Sequence, residues 1–93
     1  DYALAFSDIN PQAPIHILII PKKSYINFHD FIENASIKEI EFFWKLVNNV
    51  INLNKISKKG FRIITNSGNN GNQDVPHFHV HLLGGENLGR MIG

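Results

Sequence analysis

The 93-residue chain contains no cysteine, which rules out disulfides and thiolate metal ligands and fits a reducing, cytoplasmic setting. Long hydrophobic runs are also missing. The longest apolar stretch, Ile15 to Ile20, is interrupted by His16 and is far too short to span a bilayer. No basic region followed by an apolar run opens the chain, so neither a membrane span nor an export signal is read. Charge of one sign is scarce as well. Nine Lys and Arg stand against eight Asp and Glu, for a formal net charge of +1, and so small a balance provides no extended basic field for a long nucleic acid. A nucleotide-sized anion is not excluded by it. With 43% hydrophobic residues and seven Phe, the composition is that of one globular domain over residues 1–93. At this size oligomerisation adds useful burial. The abrupt opening on the strand-like run Tyr2 to Phe6 leaves open that residues precede Asp1.

Local patterns then divide the chain. Tyr2 to Ser7 reads as a first strand, and Asp8 to Pro14 as a rigid turn, because Pro11 and Pro14 each fix φ and remove a donor. His16 to Ile20 is rich in β-branched residues, stops at Pro21 and is apolar on both faces, the pattern of a central strand. Ser36 followed by Glu39 fits a capping box. Behind it Ile37, Ile40, Trp44, Val47 and Ile51 recur at helical spacing, with Phe43 and Val50 beside that stripe, and the helix should end near Asn54. Phe61 to Thr65 reads as a third strand. Asn66 to Gln73 is almost entirely Asn, Gly and Gln, a composition suited to positive φ and exposed amides. His77 to Leu83 then alternates at period two, as a strand does. The order strand, strand, helix, strand, strand predicts an α+β layer with a helix on one face of an antiparallel sheet.

Residues i, i+2 and i+4 of a strand share a face at roughly 6.7 Å spacing. His77, His79 and His81 therefore line one side while Phe78, Val80 and Leu82 point to the core. Three uses of such a row are open: imidazole ligands for zinc or iron, a nucleophile with partners that move protons near neutral pH, or an exposed polar face. The metal reading has few further ligands, since cysteine is absent and the nearest acid, Asp74, lies in the preceding loop. That loop speaks for phosphate, because Gly68, Gly71 and their neighbours can turn several N–H groups toward an anion.

His77 through Leu83 matches His-x-His-x-His followed by two apolar residues, the motif of the histidine triad family, which the chain resembles. The resemblance extends over Asp8 to His16, Ile17 to Lys23 and Gly60 to Gly85, where the chain looks like the branch of histidine triad nucleotide-binding proteins. It implies an α+β fold with a five-stranded antiparallel sheet, one main helix and a homodimer whose two sheets join. It implies His79 as a nucleophile that forms a transient nucleotidyl-histidine, His81 as the group that protonates or stabilises the leaving group, and His77 and His16 as its supports. It also places Asp8 on the ribose hydroxyls, Phe6 and Ile9 beside the base, and Asn66, Gln73 and Val75 near the ribose-phosphate. No cofactor or metal is required by that chemistry.

The implied activity is hydrolysis of purine nucleoside phosphoramidates, or of acyl or aminoacyl adenylates, to a nucleoside monophosphate of the AMP type. The alternatives are a dinucleoside polyphosphate hydrolase and a nucleotide-responsive scaffold with vestigial catalysis. Gly84-Gly85 and the Pro-Gln-Ala-Pro turn favour the first, and the complete set of histidines speaks against the last. Departures from the family pattern concern the phosphate and the tail. Asp74 stands where Ser or Thr often meets phosphate, and an ionised carboxylate would repel it, so contact there should run through backbone N–H groups. Asn72 stands where Gly is common, and Leu88 to Gly93 lacks a Trp-Pro ending. His29 matches nothing in the motif and reads as a surface residue.

Overall fold

The computed structural model describes residues 1–91. Its elements run β1 (Ala3–Ser7), β2 (Ile15–Pro21), α1 (Phe28–Asn34), α2 (Ile37–Leu53), β3 (Phe61–Ile64) and β4 (Val80–Gly84). The strands form one antiparallel sheet in the order β1-β2-β4-β3, so β2 and β4 are internal. None of the helices among the described residues is long and apolar enough to cross a membrane.

Alternation along the internal strands splits the sheet into two unlike faces. Ile17 pairs with Leu82 and Ile19 with Val80, and these four belong to the core or pack against it. α2 closes that side, resting on β1 and β2. Its start is fixed locally: the Ser36 hydroxyl accepts from the Glu39 N–H and the Glu39 carboxylate accepts from the Ser36 N–H, both at 3.1 Å. The second Glu39 oxygen accepts from Tyr25 O–H at 2.8 Å. Burial, and then the Glu39 carboxylate, push the Tyr25 phenol up to about 12.

Phe78 sits at the centre of an aromatic cluster. Its ring stacks on Phe31 at 4.9 Å between centroids, lies 5.1 Å from Phe43 and meets Phe28 edge-on at 6.2 Å. Phe31 comes from α1, an element that the sequence reading did not foresee. At seven residues it is too short to display a repeat, although Asn27 caps it by accepting from the Asp30 N–H at 2.9 Å.

Several expectations need correction. The described residues hold four strands rather than five, and the short α1 stands beside the one main helix expected, α2. The buried stripe of α2 is Phe43, Val47, Val50 and Ile51, with Ile40 and Trp44 partly covered. Ile37 is 86% exposed, because the sheet beneath α2 meets the face centred on Phe43. The last strand begins at Val80, not His77. Upstream of it the backbone leaves the ladder: the His77 N–H donates to the Val75 carbonyl and the Phe78 N–H to the Tyr25 carbonyl. The alternation nonetheless persists, with Phe78, Val80 and Leu82 buried and the three histidines partly exposed.

Because Phe78 is 1% exposed and touches both helices through aromatic contacts, Phe78→Ala should destabilise the fold by about 3–5 kcal/mol. Urea denaturation followed by circular dichroism measures this. A loss below about 1 kcal/mol would show that the cluster is not the centre of the core.

Candidate functional site

The face of the sheet away from α2 gathers the polar residues. Register decides which of them meet. His16 lies opposite Leu83 and Leu18 opposite His81, so His16 and His81 are diagonal neighbours on adjacent strands, within reach of each other's rings. The His16 Nε2 is 2.9 Å from His81 Nδ1, and the ring centroids are 5.2 Å apart. Asp8 joins them from the end of β1, where its N–H extends the ladder by donating to the His16 carbonyl at 2.9 Å. One Asp8 carboxylate oxygen is 3.5 Å from His16 Nε2. The other accepts the Asn10 N–H at 2.8 Å, an Asx turn that holds the side chain in place. His16 is 7% exposed, and its Nδ1 accepts the Gln12 N–H at 3.0 Å.

His79 lies just upstream of β4, with its ring centroid 5.0 Å from that of His81. Its Nδ1 is 2.8 Å from the His77 carbonyl. A carbonyl only accepts, so Nδ1 carries a proton there and Nε2 of the neutral ring keeps a bare lone pair. The His79 carbonyl in turn accepts Thr65 O–H at 2.8 Å. His77 contributes its backbone, while its own Nε2 is buried without a hydrogen-bond partner.

The amide-rich loop is braced from within. Asn66 donates to the Gly71 carbonyl at 2.8 Å. Gly71 admits no side chain, since a Cβ there would come within 2.4 Å of the Ser67 carbonyl oxygen. The Gln73 amide accepts the Gly68 N–H at 2.9 Å and donates to the Val75 carbonyl at 3.0 Å and the Ile26 carbonyl at 2.6 Å. Both ends of its amide are therefore committed to shaping the loop. Asp74 and Val75 are exposed on its surface, where Asp74 is free to turn away from an anion. Asn72, standing where Gly is common in the family pattern, takes a positive φ of 57°, a conformation that Asn tolerates.

The structure thus brings Asp8, His16, His79 and His81 together and gives His77, Asn66 and Gln73 supporting positions. Phe6 is half-exposed and pairs with Leu18, itself opposite His81, which makes an apolar row beside the imidazoles. Ile9 is 93% exposed at the adjacent turn. Sequence reasoning missed Leu18, although its two-residue spacing from His16 on a strand was the signal. It also gave no role to Gln12, because a backbone donor leaves no trace in residue type. One ligand atom each from Asp8, His16 and His81 lies within 4.8 Å of the others, close enough for a cation.

Burial, then the neighbouring His79 and His16, hold the His81 imidazole below its ordinary value of 6.5, against an opposing pull from Asp8. A group whose folded value is depressed takes up its proton later in the native than in the unfolded state. Stability from this residue is therefore present above the ordinary imidazole range and is lost as pH falls through it. Proton NMR of the histidine ring signals should show the His81 midpoint below the ordinary imidazole value of 6.5. A higher midpoint for His81 would contradict the geometry.

The HIT domain family model matches residues 1–88. The chain is 46% identical over 92 residues to an uncharacterized 13.2 kDa HIT-like protein of Azospirillum brasilense, covering 99% of this chain and 75% of that one. It is 47% identical over 85 residues to an uncharacterized HIT-like protein of Rickettsia prowazekii, covering 91% and 71%. Among solved structures, a HIT family hydrolase from Legionella pneumophila superposes with a TM-score of 0.87 at 35% identity, covering 99% of this chain and 81% of that one. A histidine triad protein from Clostridium difficile gives 0.86 at 38% identity, covering 97% and 77%. With its motif, its fold and its relatives in agreement, the chain belongs to the HIT domain family.

Proposed function

We propose that this chain is a nucleotide-binding hydrolase of the histidine triad nucleotide-binding branch, which cleaves at the α-phosphorus of purine nucleoside phosphoramidates or acyl and aminoacyl adenylates. The observation that supports this most is the bare Nε2 of His79, held by the His77 carbonyl on the other ring nitrogen. Neutral imidazole so oriented is a nucleophile at physiological pH. The His79 Nε2 lone pair forms a bond to phosphorus, and the bond to the leaving group breaks with its electron pair going to the leaving group. An acyl group leaves as a carboxylate. An amine takes up one proton, borrowed from the histidine network and returned when water is split in the second step. That water cleaves the phosphorus–His79 bond and releases nucleoside monophosphate.

Asp8 and the apolar row support the nucleotide half of the reading. A carboxylate accepts from both hydroxyls of a ribose, while Phe6, Ile9 and Leu18 offer apolar surface for a base. Exposed N–H groups of the loop from Asn66 to Val75 suit a phosphate, with the Gln73 side chain holding their geometry rather than touching the ligand. Incubation with a fluorogenic adenosine phosphoramidate tests the reading. His79→Ala should lower turnover by at least about a thousandfold with thermal stability retained, and Asp8→Ala should raise KM. Turnover by the His79 variant equal to that of the parent would remove the nucleophile, and turnover of dinucleoside polyphosphates alone would reassign the substrate.

A homodimer accompanies this reading. β3 is an edge strand, and Phe61 and Ile63, two apart on one face, are each 41% exposed. An exposed apolar edge invites strand pairing, and pairing of two copies there would merge their sheets. Sedimentation at micromolar concentration should give the dimer mass for the parent chain and a lower mass for Ile63→Lys. A parent monomer with full activity would dispense with the second copy.

A further inference from the structure

We infer that the Gln12 backbone N–H is a positioning group that sets the tautomer of His16 and, through it, that of His81. The Gln12 N–H can only donate, and it lies 3.0 Å from His16 Nδ1. That nitrogen must therefore present a lone pair, and the ring proton of neutral His16 sits on Nε2. The opposite tautomer would fail twice. It would set two donors against each other at Nδ1 and turn the Nε2 lone pair toward the Asp8 carboxylate 3.5 Å away.

The assignment propagates. His16 Nε2–H faces His81 Nδ1 at 2.9 Å, so His81 receives at Nδ1, and its neutral ring carries the proton on Nε2. Next to it, His79 is fixed in the opposite sense by the His77 carbonyl at its Nδ1. Two rings with centroids 5.0 Å apart thus differ at their remaining nitrogens: His79 offers a bare Nε2 and His81 an Nε2–H. One suits attack on an electrophile and the other donates to the group departing from it. Both settings come from main-chain atoms, an acceptor at His77 and a donor in the turn that Pro11 and Pro14 stiffen. The same donor opposes a cation between Asp8, His16 and His81, because coordination through His16 Nε2 would force a proton onto Nδ1 against the Gln12 N–H.

The tautomers are observable without turnover, whereas the catalytic consequence rests on the hydrolase reading. Long-range proton–nitrogen correlation spectra of the 15N-labelled protein near neutral pH should show protons on Nε2 of His16 and His81 and on Nδ1 of His79. Gln12→Pro deletes the donor together with the side chain that reaches the Asn10 carbonyl, and should leave His16 as a mixture of tautomers. Gln12→Ala keeps the N–H and should retain the single one. With the phosphoramidate as substrate, Gln12→Pro should lower kcat at least about tenfold with KM changed much less. A proton on His16 Nδ1 in the parent protein would overturn the inference, and that spectrum decides alone should the proline variant fail to fold. An unchanged His16 tautomer in folded Gln12→Pro would overturn it equally. The expected tautomers in a protein that hydrolyses no phosphoramidate would uphold the inference and remove the hydrolase reading instead.

Discussion

The pairing of β2 with β4 is the constraint from which the rest of the site follows. These internal strands bury Ile17, Ile19, Val80 and Leu82 on one side and hold His16 and His81 on the other. A slip of one residue would drive His81 under α2 and lift Leu82 into water, reversing the environment of every side chain on the strand. The apolar core therefore enforces the spacing between imidazoles. Precision in the polar cluster is a by-product of packing that contains no polar group, so the scaffold can hold the histidines within hydrogen-bond distance without flexible segments.

His79 stands at the point where this regularity ends. It precedes β4, and its backbone is held by Thr65 and by the neighbouring contact of Phe78 with Tyr25. Tyr25 is tied in turn through Glu39 to the cap of α2. Departure from the ladder frees the His77 carbonyl to orient the His79 ring, which a regular antiparallel strand would have committed to its neighbour. The loop before it is stiffened by its own amides, chiefly Gln73, so its exposed N–H groups are arranged before any ligand arrives. Prearranged donors lose little entropy on binding an anion.

The two faces of the sheet also divide stability from recognition. Aromatic rings from α1, α2 and Phe78 fill the covered side, while the open side leaves Leu4 and Phe6 nearly half-exposed beside the histidines. Apolar surface left open next to a polar cluster is the usual form of a ligand site. Asp8 links the two kinds of surface, since its carboxylate approaches His16 while its turn carries Ile9 into solvent.

Much of this could be read from the residues alone. The alternation of His77 to Leu83, the Ser36–Glu39 capping box and the strand ending at Pro21 are local patterns, dictated by side-chain periodicity and by backbone donors within a few residues. They determined which side chains of the histidine segment are buried and where the main helix starts. Local pattern could not choose the buried face of α2, because Ile37 and Phe43 both fit a helical stripe and only the sheet beneath decides between them. Nor could it show α1, whose seven residues are held by Phe31 meeting rings distant in sequence. Register across strands placed His16 against His81 and Leu18 beside them. The end of the ladder at Val80 was likewise settled by Tyr25, more than fifty residues upstream. The sequence by itself determined the chemistry available, an acid and four imidazoles beside an amide-rich loop. Tertiary structure alone decided which nitrogen faces which partner, because hydrogen bonds to backbone atoms depend on the path of the chain and not on the identity of its residues.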